Sequence, residues 1–215
     1  ALIAAEHPGT TVVTDSITSD QLTVYLEKCL GLKHLRFKRG YKNVINKAIE
    51  LNKSGIDSQL AIETSGHAAY KENYFLDDGA YLATKIVIKA AQLAQSGAGI
   101  DVLLSSLAEP KEAIEIRFPI SGSDFGAYGE KVLTDLKKWA MEPEQVSDGI
   151  SLVEPNYEGV RLNFRTEDTE GWCLLRKSLH DPIMPLNVEV TKGSCEKILC
   201  IIKVFLSKYD KIVVE

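Results

Sequence analysis

The sequence predicts an α/β three-layer domain, a mixed sheet with helices on both faces, followed by a small α+β domain, an antiparallel sheet with helices on one face. Three observations predict this. In the first half, short apolar runs alternate with segments of helical period, the order that builds a strand-and-helix layer. In the second half, apolar residues recur at every second position, the period of half-solvated antiparallel strands. Between the halves, Glu109-Pro110 breaks both patterns and divides the chain into residues 1–109 and 110–215.

The elements follow in order. Thr11 to Thr14 reads as a short strand. Thr18 or Ser19 then caps a helix with Leu22, Tyr25, Leu26, Cys29 and Leu30 inward, and Gly31 stops it. Leu35 to Phe37 is a strand, Asn43 to Leu51 a helix with Val44, Ile45, Ala48 and Ile49 inward, and Gln59 to Ile62 the next strand. A polar run leads to a long helix from about Gly79 to Gln95, and Asp101 is placed to cap a short helix reaching Leu107. In the second half, Ile114, Ile116 and Phe118 alternate with Glu115 and Arg117. Val160, Leu162 and Phe164 alternate with Arg161, Asn163 and Arg165, and Leu186, Val188 and Val190 with Asn187 and Glu189. Helices with one apolar face run from Lys131 to Ala140 and from Ser194 to Ser207. Gly122, Gly126 and Gly129 lack the spacing of a phosphate cradle and read as a loop.

Composition narrows the function. The chain has 215 residues, 45% hydrophobic and 26% charged, the balance of a globular protein. A net charge of −5 argues against non-specific nucleic-acid binding, which needs a basic face. No apolar run approaches the roughly 20 residues of a membrane span, and no signal peptide precedes Ala1, so a cytoplasmic protein is expected. Cys29, Cys173, Cys195 and Cys200 form no CxxC pair; reduced thiols are expected, with Cys29, Cys173 and Cys195 on apolar stripes. The start at Ala1, on the apolar segment Leu2 to Ala5, reads as that of a fragment.

The polar run is Glu63-Thr-Ser-Gly-His67, followed by Lys71-Glu72-Asn73 and Asp77-Asp78-Gly79. It leaves a strand, where open α/β sheets bind ligands. Glu63 and Ser65 offer the acceptor and donor that sugar hydroxyls need. A turn capped by Ser65 with His67 packed beside it fits the same residues. Asp77-Asp78 reads as a charge pair at a helix N-terminus, because two adjacent carboxylates point apart and no third metal ligand is near.

These residues resemble the sugar-binding loop in the third domain of the α-D-phosphohexomutases, the phosphomannomutase and phosphoglucomutase family, with Ile62 where a glycine is common. A second likeness is to the family's fourth domain: Asp148-Gly149, Gly159-Val160-Arg161, Gly171-Trp172, then Arg176-Lys177-Ser178-Leu-His-Asp-Pro182. The last stretch looks like the phosphate-binding loop, with Leu179 and His180 departing from the usual residues. The resemblance spans essentially the whole chain.

What the resemblance implies is an isomerase that moves phosphate between the 1- and 6-positions of a hexose through a hexose 1,6-bisphosphate. Glu63, Ser65, His67 and Lys71 would bind the sugar. Arg176 would hold the phosphate by two parallel donors, with Ser178 adding a hydroxyl. His180 would donate to phosphate, or partner Asp181 in a surface turn. The basic cluster Lys38, Arg39, Lys42 and Lys47 resembles the loop with a substrate-contacting lysine, and Lys42 and Lys47 are both candidates. The partners expected are mannose or glucose 1- or 6-phosphate and the missing N-terminal domains. In the family a phosphoserine and a Mg²⁺ held by an Asp-x-Asp-x-Asp-Arg loop carry the reaction. Neither motif occurs in this sequence, so the fragment alone is expected to be inactive and to expose an apolar surface. The alternative is a non-catalytic phosphosugar-binding or interaction module.

Overall fold

The computed structural model describes residues 1–178 and 180–214. They form two compact units, Ala1–Ala108 and Glu109–Glu215.

The first unit contains α1 (Leu2–Glu6), β1 (Thr11–Asp15), α2 (Asp20–Val24), β2 (Lys33–Phe37), α3 (Tyr41–Lys53), β3 (Leu60–Ile62), β4 (Ala68–Tyr70) and α4 (Gly79–Gln95). Its sheet has the order β2-β1-β3-β4, parallel except for β4. β1 lies between two strands and is buried along its whole length, Thr11 to Asp15, so its residues show no alternation of buried and exposed positions. Helices cover both faces. α3 packs Val44, Ile45, Ala48 and Leu51 on Val13, Ala61 and Ala69. On the other face Ile3, Leu26 and Leu32 pack on Val12 and Tyr70, joined by Tyr81 and Leu82 of α4. Burying aliphatic side chains of this size stabilises by roughly 1.5–3 kcal/mol each. The rest of α4 is open: no residue of it is buried, and Val87 is 66% exposed.

Three expectations are corrected here. Ser19 does cap α2, accepting from the Gln21 N–H, but the helix turns π-helical over Tyr25–Cys29. Leu30 N–H donates to Tyr25 O, five residues back, and the extra residue per turn carries Cys29 off the apolar stripe into solvent. The polar run does not pass straight from strand to helix. At Gly66 (φ +95°) it reverses into β4, with Gly66 N–H on Glu63 O and Glu63 N–H on His67 O. Third, Asp101 caps nothing: a 3-10 turn starts one residue before it, over Ile100–Leu104. At the start of α4 the expected charge pair divides: Asp78 caps the helix, accepting from the Tyr81 N–H at 2.9 Å, whereas Asp77 pairs with His67.

The second unit contains β5 (Glu112–Pro119), α5 (Phe125–Trp139), α6 (Pro143–Ser147), β6 (Ile150–Leu152), β7 (Val160–Arg165), β8 (Glu170–Leu175), β9 (Ile183–Lys192) and α7 (Cys195–Leu206). Its antiparallel sheet has the order β5-β9-β8-β7-β6. α5 and α7 lie on one face, with Val132, Leu136, Ile198, Ile202 and Leu206 against Phe118, Leu162, Cys173, Met184 and Val188. α5 starts six residues earlier than its apolar period suggests. Its first turns hold Gly126 and Gly129, poor helix formers, and Gly129 lets the helix approach Lys177 and Ile120. The helix-free face is less solvated than its alternation implied. Arg161 is 2% exposed, its guanidinium lying 3.6 Å from the centre of the Trp172 ring, and the Trp172 indole N–H donates to Glu189 Oε1 at 2.9 Å. β8 is buried on both faces from Trp172 to Leu175, so it shows no period-two signal.

Candidate functional site

In the first unit, parallel β2, β1 and β3 end along one edge at Phe37, Asp15 and Ile62. The loops leaving that edge carry the candidate residues. Glu63 is 8% exposed, and its Oε1 accepts the Gly40 N–H at 2.6 Å. Ser65 Oγ lies 3.4 Å from Glu63 Oε2, so its hydroxyl donates to a carboxylate and caps no backbone. His67 stacks on Tyr41, ring centres 5.1 Å apart, and its Nδ1 meets Asp77 Oδ2 at 2.7 Å. Asp77 is therefore the partner of His67, while Asp78 caps the helix.

The lysines separate. Lys42 stands in the first turn of α3, its Nζ 5.8 Å from the centre of the Tyr41 ring, on the same edge as Glu63. Lys47 lies further along α3, over Phe37 at 5.4 Å and paired with Glu50 at 2.7 Å. Lys71 is not brought to this edge. It follows β4, and its N–H donates to Gln59 O at the opposite end of β3. There its Nζ lies 3.1 Å from Asp57 Oδ1. Burial alone would raise the Asp57 carboxyl, but hydrogen bonds from Thr10, Lys71 and Gln59 outweigh it and hold the group below its usual range.

One residue of this edge escaped the sequence reading. Asp15 is fully buried at the end of β1, with Thr18 Oγ1 2.9 Å from Oδ1 and Thr64 Oγ1 2.7 Å from Oδ2. The signal available was a carboxylate directly after an apolar strand, a position where only paired acids survive burial.

In the second unit the candidate loop leaves β8. Arg176 N–H donates to Pro185 O and Ser178 N–H to Ile183 O, both at 3.0 Å. Ser178 Oγ accepts the Asp181 N–H at 3.1 Å and the His180 N–H at 3.4 Å. The loop is thus folded around the serine hydroxyl, whose proton is left to donate. His180 is exposed, while Leu179 lies outside the described residues. Lys177 turns to the helix side, with Nζ 3.0 Å from Glu130 Oε2. Arg176 contributes to the low pKa of Glu115. Burial opposes that shift; hydrogen bonds from Arg117 and Asn187 and the charges of Arg117 and Arg176 override it. Gly159 (φ +60°) fixes the loop from below: a Cβ there would collide with Leu175 O and lie 2.9 Å from Arg176 Cα.

The chemistry on offer is recognition. Carboxylate, hydroxyl and lysine line the strand edge of the first unit; guanidinium and hydroxyl stand at the loop of the second. Among the described residues, no group of three or more His, Cys, Asp or Glu could hold a metal ion. No helix among them is long and apolar enough to cross a membrane.

Comparison with known proteins agrees with this architecture. No curated protein sequence matches the chain. A phosphoglucomutase/phosphomannomutase family protein from Burkholderia thailandensis has a similar fold, with a TM-score of 0.70 and 23% identity over 96% of this chain and 39% of its own. N-acetylphosphoglucosamine mutase from Aspergillus fumigatus, solved with GlcNAc-6P and magnesium, gives a TM-score of 0.54 and 14% identity over 98% of this chain and 41% of its own. The chain therefore spans about two fifths of the length of these structures. Residues 1–109 match the family model of phosphoglucomutase/phosphomannomutase, alpha/beta/alpha domain III, and on that match the chain belongs to the phosphoglucomutase/phosphomannomutase family.

Proposed function

We propose that this chain is the substrate-recognition half of a phosphohexomutase. In this reading residues 1–109 hold the sugar through Glu63 and Ser65, and residues 110–215, as the family's C-terminal domain, hold the phosphate that is not reacting. The observation that carries it is the Glu63 carboxylate, kept at the strand edge by the Gly40 N–H in a Glu-Thr-Ser-Gly-His turn. A carboxylate so fixed can accept from two adjacent sugar hydroxyls, and Ser65 lies beside it.

Arg176 is the phosphate ligand, with Ser178 and His180 adding donors, and Lys42 supplies further positive charge. His67 braces the turn through Tyr41 and Asp77 more than it touches sugar. Lys71, at the far end of β3, serves the fold through Asp57. Binding the remote phosphate positions the reacting end and retains a bisphosphate while it turns over. Mg²⁺ would neutralise charge on the phosphoryl group when bound to the longer protein. The whole protein would be a cytoplasmic isomerase acting on mannose or glucose phosphates, and these residues alone would be inactive.

NMR titration with glucose 6-phosphate and mannose 6-phosphate tests this. Shifts should cluster at Glu63–His67 and Arg176–His180. Arg176→Ala should weaken binding at least tenfold, since a charge-assisted hydrogen bond contributes about 1.5–3 kcal/mol. Millimolar ligand that moves neither set of resonances would refute the reading in favour of a module without phosphosugar affinity.

A further inference from the structure

We propose that Asp15 is the positioning residue of the sugar loop, holding the Glu63–His67 turn and the Arg39–Gly40 segment in one fixed arrangement; this rests on the sugar-binding reading of that loop.

Asp15 is removed from water at the end of the strand that runs between β2 and β3. A carboxylate in such a place persists only when donors surround it. Its partners come from three separate segments, two as hydrogen-bond donors and one as an ionic contact. Thr18 Oγ1, in the turn after β1, serves Oδ1. Thr64 serves Oδ2 through its hydroxyl at 2.7 Å and its N–H at 3.4 Å. Arg39 Nε stands 3.9 Å from the same oxygen.

Two of these partners adjoin the atoms that matter. Thr64 lies between Glu63 and Ser65. Arg39 precedes Gly40, whose N–H binds Glu63 Oε1. The two loops are therefore linked twice, once directly from Gly40 to Glu63 and once through Asp15. Together the links close a ring that runs Asp15, Thr64, Glu63, Gly40, Arg39 and back. A ring fixes the Glu63 carboxylate more tightly than either link alone, and it closes through a single Asp15 oxygen, Oδ2, while Thr18 on Oδ1 stands outside it. The apolar core beneath, Val13, Val44, Ala48 and Ala61, lies outside the ring, so the loops can loosen while the fold stays intact.

Three variants separate positioning from general stability. Thr64→Val removes the hydroxyl donor of the loop, Thr18→Val removes the donor outside the ring, and Asp15→Asn withdraws the charge. The readouts are hydrogen exchange at the Gly40 amide and the affinity for mannose 6-phosphate. Thr64→Val and Asp15→Asn should speed Gly40 exchange and weaken binding, each by about tenfold, the size of one lost charge-assisted bond. Thr18→Val should leave both within about twofold. Equal responses to Thr18→Val and Thr64→Val would overturn the proposal, as would a Gly40 amide still protected in Thr64→Val. Should Asp15→Asn fail to fold, the threonine pair decides. Should the wild type bind no phosphosugar, the functional reading fails, while Gly40 exchange still decides whether Asp15 positions the loop.

Discussion

Buried carboxylates occur in both units of this chain, Asp15 and Glu63 in the first and Glu189 in the second, and each is met by donors from neighbouring strands or loops. Glu189 illustrates the cost of removing one. Trp172→Phe keeps the ring but deletes the indole donor to Glu189 Oε1, and should destabilise the second unit by about 1–3 kcal/mol in urea unfolding. A second residue-scale prediction concerns pH. Glu72 is held below its usual carboxylate range, chiefly by its hydrogen bond from Lys85, which also lies 2.7 Å from Glu6. A carboxyl depressed in the folded state contributes stability above its unfolded pKa of about 4.3, and that contribution is lost as the pH falls through the lower folded value. Thermal melts between pH 7 and pH 3 should show this loss, and Lys85→Met should flatten it. At this scale Glu63 and Ser65 could be singled out because they follow directly on the strand ending at Ile62, and Arg176 through the likeness of its loop. Asp15 could not, since its partners Thr18, Thr64 and Arg39 are dispersed in sequence and meet only when three strands align.

Whole elements were legible where one face is apolar and the other wet. α3 and α7 show this, and so does β5, whose alternation matches its burial. Elements buried on both faces, or only three residues long, carry no period. That hid β8 and β4, and β4 is what turns the polar run into a hairpin and sends Lys71 away from Glu63. The π-helical turn at Tyr25–Cys29 was hidden for another reason: its residues keep helical spacing, and only the hydrogen-bond partner changes. Two predictions belong here. Leu136→Ala, in the core between α5 and the sheet, should cost about 2–5 kcal/mol in chemical denaturation. Gly159→Ala should cost at least about 1–2 kcal/mol for the left-handed backbone alone. It should also displace Arg176 and reduce phosphosugar affinity, whereas Leu136→Ala, far from the loop in kind and contact, should spare affinity at temperatures where the protein stays folded.

At the scale of the molecule, each unit holds its own core. The large cluster of the second unit runs from Phe118 to Ile212 and draws on no residue before Glu109. Residues 109–215 expressed alone should therefore unfold in one cooperative transition by near-ultraviolet circular dichroism; a gradual loss of signal would show that the unit depends on the rest of the chain. The change of period near Glu109-Pro110 was visible in the sequence because a doubly covered sheet and a sheet with helices on one face impose different spacings.

The cysteines have a practical consequence. Cys173 is buried and its thiol pushed up to about 12 by desolvation, and burial raises that of Cys195 too. Both will stay protonated and slow to alkylate at neutral pH. Cys29 and Cys200 are exposed, one in each unit. The wild-type sequence thus already carries one maleimide-reactive handle per unit. A donor and an acceptor dye attached there would report by energy transfer whether the distance between the two units changes when a sugar phosphate is added.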